Sequence, residues 1–332
     1  MLTLIVPGLI WTHQALADLT FDLPLPAFTT LLGRGRLRRF PPQSTALMLA
    51  ACAGLPPPLP AAALRWLALR GDPTDAGWLC LDPVRLRFAE RSLIVDDPRA
   101  LRLTNEESAA LAGLLGPTFA HLGRIEELSP GMWNLRLTSD ALDFTPLSDT
   151  AGRVAVSLPA DAAYAPWRQA ISEAQILLHS HPVNKAREAA GKPAVNSLWP
   201  WGGGRLPVPG PSRHDALWSS DPVAAGIARL LKIECAALPT GFSGMATSHP
   251  LAIHEAMEQP AGCGDALNWL AALERFEADW LAPALGALRR GSLDGLRLLA
   301  PGELGSAELQ IDRRDLWKFW RKPRPLSELA PQ

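Results

Sequence analysis

The residues of this chain best suited to hold a small ligand lie in two stretches, His179 to Arg187 and Asn196 to Gly204. Asn184, Arg187 and Asn196 supply side-chain donors, and a guanidinium can grip a carboxylate or phosphate through two parallel hydrogen bonds. Trp199 and Trp201 add indoles, expected on opposite sides of a strand, one in the core and the other lining a cleft. Gly202, Gly203 and Gly204 add bare amides of the kind that cradle anions. No Gly-Lys-Ser/Thr follows, which excludes a P-loop; the structural alternative is a turn passing close to the two tryptophans. His179 and His181, two apart on a helix, would point about 200° from each other. They can share a ligand only if the helix ends at His179, and the alternative is a histidine capping carbonyls of the last turn before Pro182.

Other reactive residues are more scattered. His13, His121, His214, His249 and His254 read as structural or surface histidines. Cys52, Cys80, Cys235 and Cys263 form no C-x-x-C pair, so neither zinc-ribbon nor thioredoxin chemistry is indicated, and buried free thiols are expected. Thr29 and Thr30, after Pro24-Leu25-Pro26, are the weak candidates for a hydroxyl nucleophile. The dense basic run Arg34, Arg36, Arg38, Arg39 reads as a solvated helix end.

These side chains must be held by a sizeable core. Hydrophobic residues make up 48% of the 332-residue chain, charged ones 20%, and the formal net charge is −1. That balance argues against long disorder and offers no basic face for duplex nucleic acid. The apolar start lacks the early positive charge of a signal peptide and is broken by Pro7-Gly8, so a cytoplasmic protein without membrane contact is expected.

Leu2 to Val6 reads as a strand buried on both faces of a parallel sheet. A helix over 44 to 53 is stopped by Pro56-Pro57-Pro58. The texture then turns to alternation: Val84, Leu86 and Phe88 with Leu93 to Val95 predict a hairpin, and Trp133 to Leu137 and Val154 to Leu158 alternate too. Thr104 and Glu107 have capping-box spacing ahead of a helix reaching about His121. Trp167, Ile171, Ala174 and Leu178 stripe another helix. Asp221-Pro222 starts a helix through about Leu231. Buried strands are expected at Ile233 to Leu238 and, as the last one, Leu296 to Leu299. Trp269, Leu273, Phe276 and Trp280 mark a helix kinked or ended by Pro283, and the end, with Trp317 and Trp320, is expected to dock on the surface. Buried-strand texture at both ends and α+β texture between them predict an α/β fold: a doubly wound core from 1–60 and 195–332, with an inserted α+β domain at 61–194.

The stretch from Glu173 to Leu206, with its LLHxHPVNxAR and VNSLWxWGGG words, resembles the RpfE-type regulatory proteins, a bacterial group related to cofactor-independent phosphoglycerate mutases. WLCLDPVRL and the LTNEE segment are similar to that group's middle region. Trp199, Trp201, Gly202, Gly204 and Pro207 also resemble the W-x-W-G-x-G-x-x-P return of the archaeal-type mutases, as do Gly226-Ile227-Ala228 and Pro239-Thr240-Gly241 a later helix and turn.

The resemblance implies an alkaline-phosphatase-like core that, in active relatives, holds two divalent metals beside a Ser or Thr nucleophile. Two cations would clamp the attacking and leaving oxygens of phosphoryl transfer. Where that pattern has Asp-Gly after the first strand, this chain has Pro7-Gly8. The later Asp and His align with Glu258 to Cys263, and the Asp-His pair with Pro301-Gly302-Glu303; Glu258, Cys263 and Glu303 are the donors left there. The expectation is therefore a mutase-like protein without metal cofactor, non-catalytic, regulatory or binding a small acidic or phosphorylated molecule. The alternatives are an active mutase or phosphatase with substitute ligands, and an interaction protein using its Trp-rich end.

Overall fold

The computed structural model describes residues 1–73, 77–89, 92–155, 157–242 and 248–330. Along the chain come β1 (Leu2–Ile5), α1 (His13–Leu19), α2 (Pro26–Arg34), β2 (Arg36–Phe40), α3 (Thr45–Ala53) and α4 (Ala61–Arg70). Next are β3 (Trp78–Val84), β4 (Leu86–Ala89), β5 (Ser92–Val95), α5 (Asn105–Phe119), β6 (Gly123–Ser129) and β7 (Met132–Leu137). They are followed by α6 (Ala165–Ser180), α7 (Pro182–Ala189), β8 (Ser197–Gly204), β9 (Ala216–Trp218), α8 (Pro222–Leu231) and β10 (Glu234–Ala236). The chain closes with β11 (Pro250–Ile253), α9 (Glu258–Gly262), α10 (Ala266–Phe276), α11 (Ala282–Arg290), β12 (Gly295–Ala300) and β13 (Ser306–Asp312). Among the described residues no helix is long and apolar enough to cross a membrane.

Two compact units result, Met1–Pro57 with Pro209–Gln332, and Pro58–Val208. The first holds a seven-stranded sheet in the order β10-β9-β11-β1-β12-β13-β2. From β10 to β12 every pairing is parallel; β13 runs antiparallel to both β12 and β2. β1 is buried at all four positions, as an unbroken apolar run in a central parallel strand should be. Its core includes Phe28 of α2, Trp269, Leu273 and Phe276 of α10, and Leu285 and Leu288 of α11.

Several expectations for this unit need correction. Arg36, Arg38 and Arg39 lie on strand β2, not at a helix end: the sheet edge pairs their backbone with β13 while the side chains reach solvent. β10 is a short edge strand whose first two residues are exposed. β12 is not the last strand, since β13 returns antiparallel beside it. Pro283 does not end its helix; a π-helical turn at Glu277–Leu281 adjusts the hydrogen-bond ladder and α11 continues. Trp317 and Trp320 project into solvent, although Leu326 and Leu329 after them are buried. Cys235 and Cys263 are exposed; only Cys52 and Cys80 are buried.

The second unit is α+β. Its antiparallel sheet runs β6-β7-β3-β8, beside the β4-β5 hairpin. Its core brings Leu111, Leu115 and Phe119 of α5 and Trp167, Ala170, Ala174 and Leu178 of α6 together with Trp133 and Leu135. Helix α5 begins at the capping box: Thr104 Oγ1 accepts from the Glu107 amide, and Glu107 Oε2 accepts from the Thr104 amide. Val154 forms only an isolated bridge with Ile94, and Val156 lies outside the described residues. Residues 195 to 208, assigned from sequence to the core, belong here because β8 pairs along β3 from Ser197–Val84 to Gly204–Trp78.

Candidate functional site

In the first unit the carboxyl ends of β11, β1 and β12 lie side by side, the edge where parallel sheets gather reactive groups. After β1 stand Pro7 and Gly8. Gly8 has φ +76, and a Cβ there would sit 2.4 Å from the Met257 carbonyl oxygen. The Trp269 indole N–H donates to the Gly8 carbonyl at 2.8 Å, pinning the turn. After β12, a Cβ on Gly302 would lie 2.6 Å from the Gly305 oxygen and 3.4 Å from Ile10 Cβ. Gln259 Nε2 points to Cys263 Sγ at 3.7 Å, and both residues are exposed.

A hard divalent cation asks for several carboxylate or carbonyl oxygens, and a catalytic pair asks for two such sets. Pro7, Gly8 and Gly302 bring no ligating side chain, and backbone atoms lie directly against the two glycines. No group of three His, Cys, Asp or Glu side chains among the described residues is disposed to hold a metal. The donor set does not fit a two-metal clamp.

At this edge His254 stands directly after β11. Its amide donates to Ile5 O at 2.8 Å, while its ring packs on Phe276 and Trp280 at 4.6 and 5.7 Å between centroids. Nδ1 has no hydrogen-bond partner among the described residues, and burial pushes the imidazole pKa down to about 4. It is a neutral core group, as an apolar cage requires.

The threonine candidates are also spoken for. Thr29 Oγ1 donates to Leu25 O at 2.9 Å and Thr30 Oγ1 to Pro26 O at 2.6 Å, back along their own helix. The start of α2 is covered by the Glu277 carboxylate, which accepts from the Ala27 and Phe28 amides at 2.6 and 3.0 Å. Burial raises the Glu277 pKa, and those two amides pull it partway back.

The two stretches singled out from sequence both fall inside the second unit. Arg187 is buried; Nε donates to Pro193 O at 2.9 Å, Nη1 to Glu107 Oε2 at 2.5 Å, and Nη2 to Leu101 O. Glu107 Oε2 thus serves both the capping box and this guanidinium. Asn184 is clamped by Leu178 O and by both backbone groups of Val195. Asn196 exchanges two hydrogen bonds with the Leu86 backbone, fastening α7's following loop to β4. His181 caps α7, its Nδ1 accepting from the Val183 amide at 3.3 Å. Arg187 is therefore a structural cross-link and not a free anion grip.

Trp199 and Trp201, two apart on β8, share a face, since strand side chains alternate with a period of two. Trp201 Nε1 donates to Asp82 Oδ2 at 2.8 Å, and the half-buried Trp199 donates to Thr145 O. Asp82 also receives Arg65 Nη1 at 2.8 Å and the Trp133 amide at 3.2 Å, and the Arg65 guanidinium lies over the Trp201 ring. No motif in the sequence pointed to this buried ion pair. Gly202, with φ +61, is needed for contact: a Cβ there would meet Ala61 Cβ at 2.5 Å. The glycines let β8 approach the start of α4 rather than cradle an anion, and Gly204 likewise abuts Pro60.

This unit also holds a recess of about 300 Å³ beside the exposed His179. Arg85, Arg87, Lys192 and Asn196 line it, with Glu188 as the one carboxylate among the described residues. Arg87 and Arg85 approach Asp96 at 3.1 and 3.7 Å, so part of their charge is already met.

No protein-family model and no curated protein matches the sequence. Solved structures do. The cofactor-independent phosphoglycerate mutase from Thermoplasma acidophilum DSM 1728 is similar at 18% identity and a TM-score of 0.50, over 100% of this chain and 95% of that one. The PH0037 protein from Pyrococcus horikoshii is similar at 13% identity and a TM-score of 0.53, over 99% and 92%. At such identities the likeness is one of fold alone.

Proposed function

We propose that this chain is a mutase-fold protein without two-metal phosphoryl transfer, acting as a non-catalytic, regulatory binder of a small acidic or phosphorylated molecule. The observation that carries this reading is the edge at β11, β1 and β12, where Pro7, Gly8 and Gly302 bring no ligating side chain and a Cβ on either glycine would run into backbone. The seven-stranded sheet drawn from both chain ends supports an alkaline-phosphatase-like core, with Pro58–Val208 as the inserted domain. The signature words favour the RpfE-type group. The ligand would take the recess beside His179, where among the described residues Arg85, Arg87 and Lys192 outnumber Glu188.

Thermal melting with manganese, zinc or magnesium tests the reading. A ligand at a hundredfold its dissociation constant adds about 2.7 kcal/mol, roughly 5 °C or more for a domain of this size. The expected Tm change with metal is near zero, and 3-phosphoglycerate with manganese should not turn over. A clear metal-induced shift accompanied by turnover establishes the opposing reading, a working mutase with substitute ligands.

A further inference from the structure

The tail after β13 combines two features that soluble surfaces rarely place together. Trp317, Phe319 and Trp320 are 76, 75 and 68% exposed, three large aromatic side chains within four residues. Between Arg313 and Arg324 the sequence carries six cations, Arg313, Arg314, Lys318, Arg321, Lys322 and Arg324, against one carboxylate, Asp315. Asp315 is buried and already meets Lys318 at 2.5 Å.

This exposure is not that of a loose end. Asp312 and Asp315 cap the 3-10 turn Arg313–Trp317 reciprocally. Arg34 Nη1 donates to Leu316 O at 2.9 Å, and the Arg324 amide donates to Thr29 O at 3.1 Å. Beyond it, Leu326 and Leu329 are buried in the core. The loop is clamped on both sides, and its aromatics are held outward. Strand β2 also holds the segment, since Arg36 pairs with Asp312 at 2.6 Å and Arg39 donates to Glu328 O.

We propose that Trp317, Phe319 and Trp320, with Lys318, Arg321 and Lys322, form a docking surface for an anionic phospholipid bilayer. Indole and phenyl rings favour the headgroup level, and nearby Lys and Arg are drawn to a negative leaflet. Base stacking would call for aromatics lining a basic groove, whereas these rings project. A second copy of the chain would set cations against cations. The expectation of no membrane contact is read from the apolar start of the chain and does not weigh this patch. The inference does not rest on the metal reading.

Co-sedimentation of the full chain with vesicles tests it, using phosphatidylcholine alone and an equal mixture with phosphatidylglycerol. Binding is expected to the mixed vesicles only, with a blue shift of tryptophan emission and loss of binding in high salt. Trp317→Ala/Trp320→Ala should weaken partition about tenfold or more while leaving the Tm unchanged, because both side chains are exposed. Arg321→Glu/Lys322→Glu should abolish it by charge alone. Failure of the wild type to bind the anionic vesicles overturns the proposal. So does equal binding by both variants, or binding of a single-stranded thymidine oligonucleotide in place of vesicles.

Discussion

Between pH 6.5 and 4 the first unit should lose stability through one side chain, His254. Its ring packs on Phe276 and Trp280, and its Nδ1 meets no partner among the described residues. Burial depresses the imidazole pKa from 6.5 to about 4. The folded state therefore binds the proton less readily than the unfolded chain does. The contribution is complete above pH 6.5, shrinks as pH falls through that window, and is gone below pH 4. At about 1.4 kcal/mol per tenfold change in proton affinity, the loss is about 3 kcal/mol, or roughly 6–12 °C in Tm. Carboxylates titrate in the same range, and Glu277, raised by burial, acts with the opposite sign. Comparison with His254→Phe, which keeps a planar ring and removes the titration, isolates the term. Urea unfolding at several pH values between 7 and 4 should show the two proteins diverging, the wild type losing more. Parallel loss of stability in both would refute the assignment of His254 as a buried neutral group.

Thr104→Ala should cost about 1 kcal/mol by chemical denaturation, because it removes one half of the capping box at α5. Arg187→Lys should cost about 3 kcal/mol, since an ammonium cannot satisfy Pro193 O, Glu107 and Leu101 O together. If that variant kept its stability and lost affinity for inorganic phosphate, the structural reading of Arg187 would be wrong. Gly8→Ala should cost about 1–3 kcal/mol from its left-handed backbone alone, with the Met257 oxygen adding to it. An unchanged melting temperature in Gly8→Ala would mean that the edge beyond β1 is more open than its packing implies.

What the sequence determined by itself was local. The Thr104–Glu107 box and the Asp221 cap of α8 are hydrogen bonds within three residues, so spacing alone declares them. The all-apolar run of β1 and the stripe of α10 declare burial by their period. That Pro7, Gly8 and Gly302 bring no ligating side chain is likewise read from residue type alone. Tertiary structure decided whatever depends on a distant partner. Arg36 to Phe40 becomes a strand only because β13 supplies hydrogen bonds from more than 250 residues away. β8 joins the second unit because its ladder is with β3, a pairing that a Trp-Gly motif cannot specify. Arg187 and Asn196 looked like ligand donors until Glu107, Leu101, Pro193 and Leu86 were found at their hydrogen-bonding atoms. The indoles of Trp317 and Trp320 are the reverse case. Hydrophobicity argues for burial, but the loop is clamped at Leu316 and Arg324 and holds them in solvent, with Trp320 edge-on to the equally exposed Phe319.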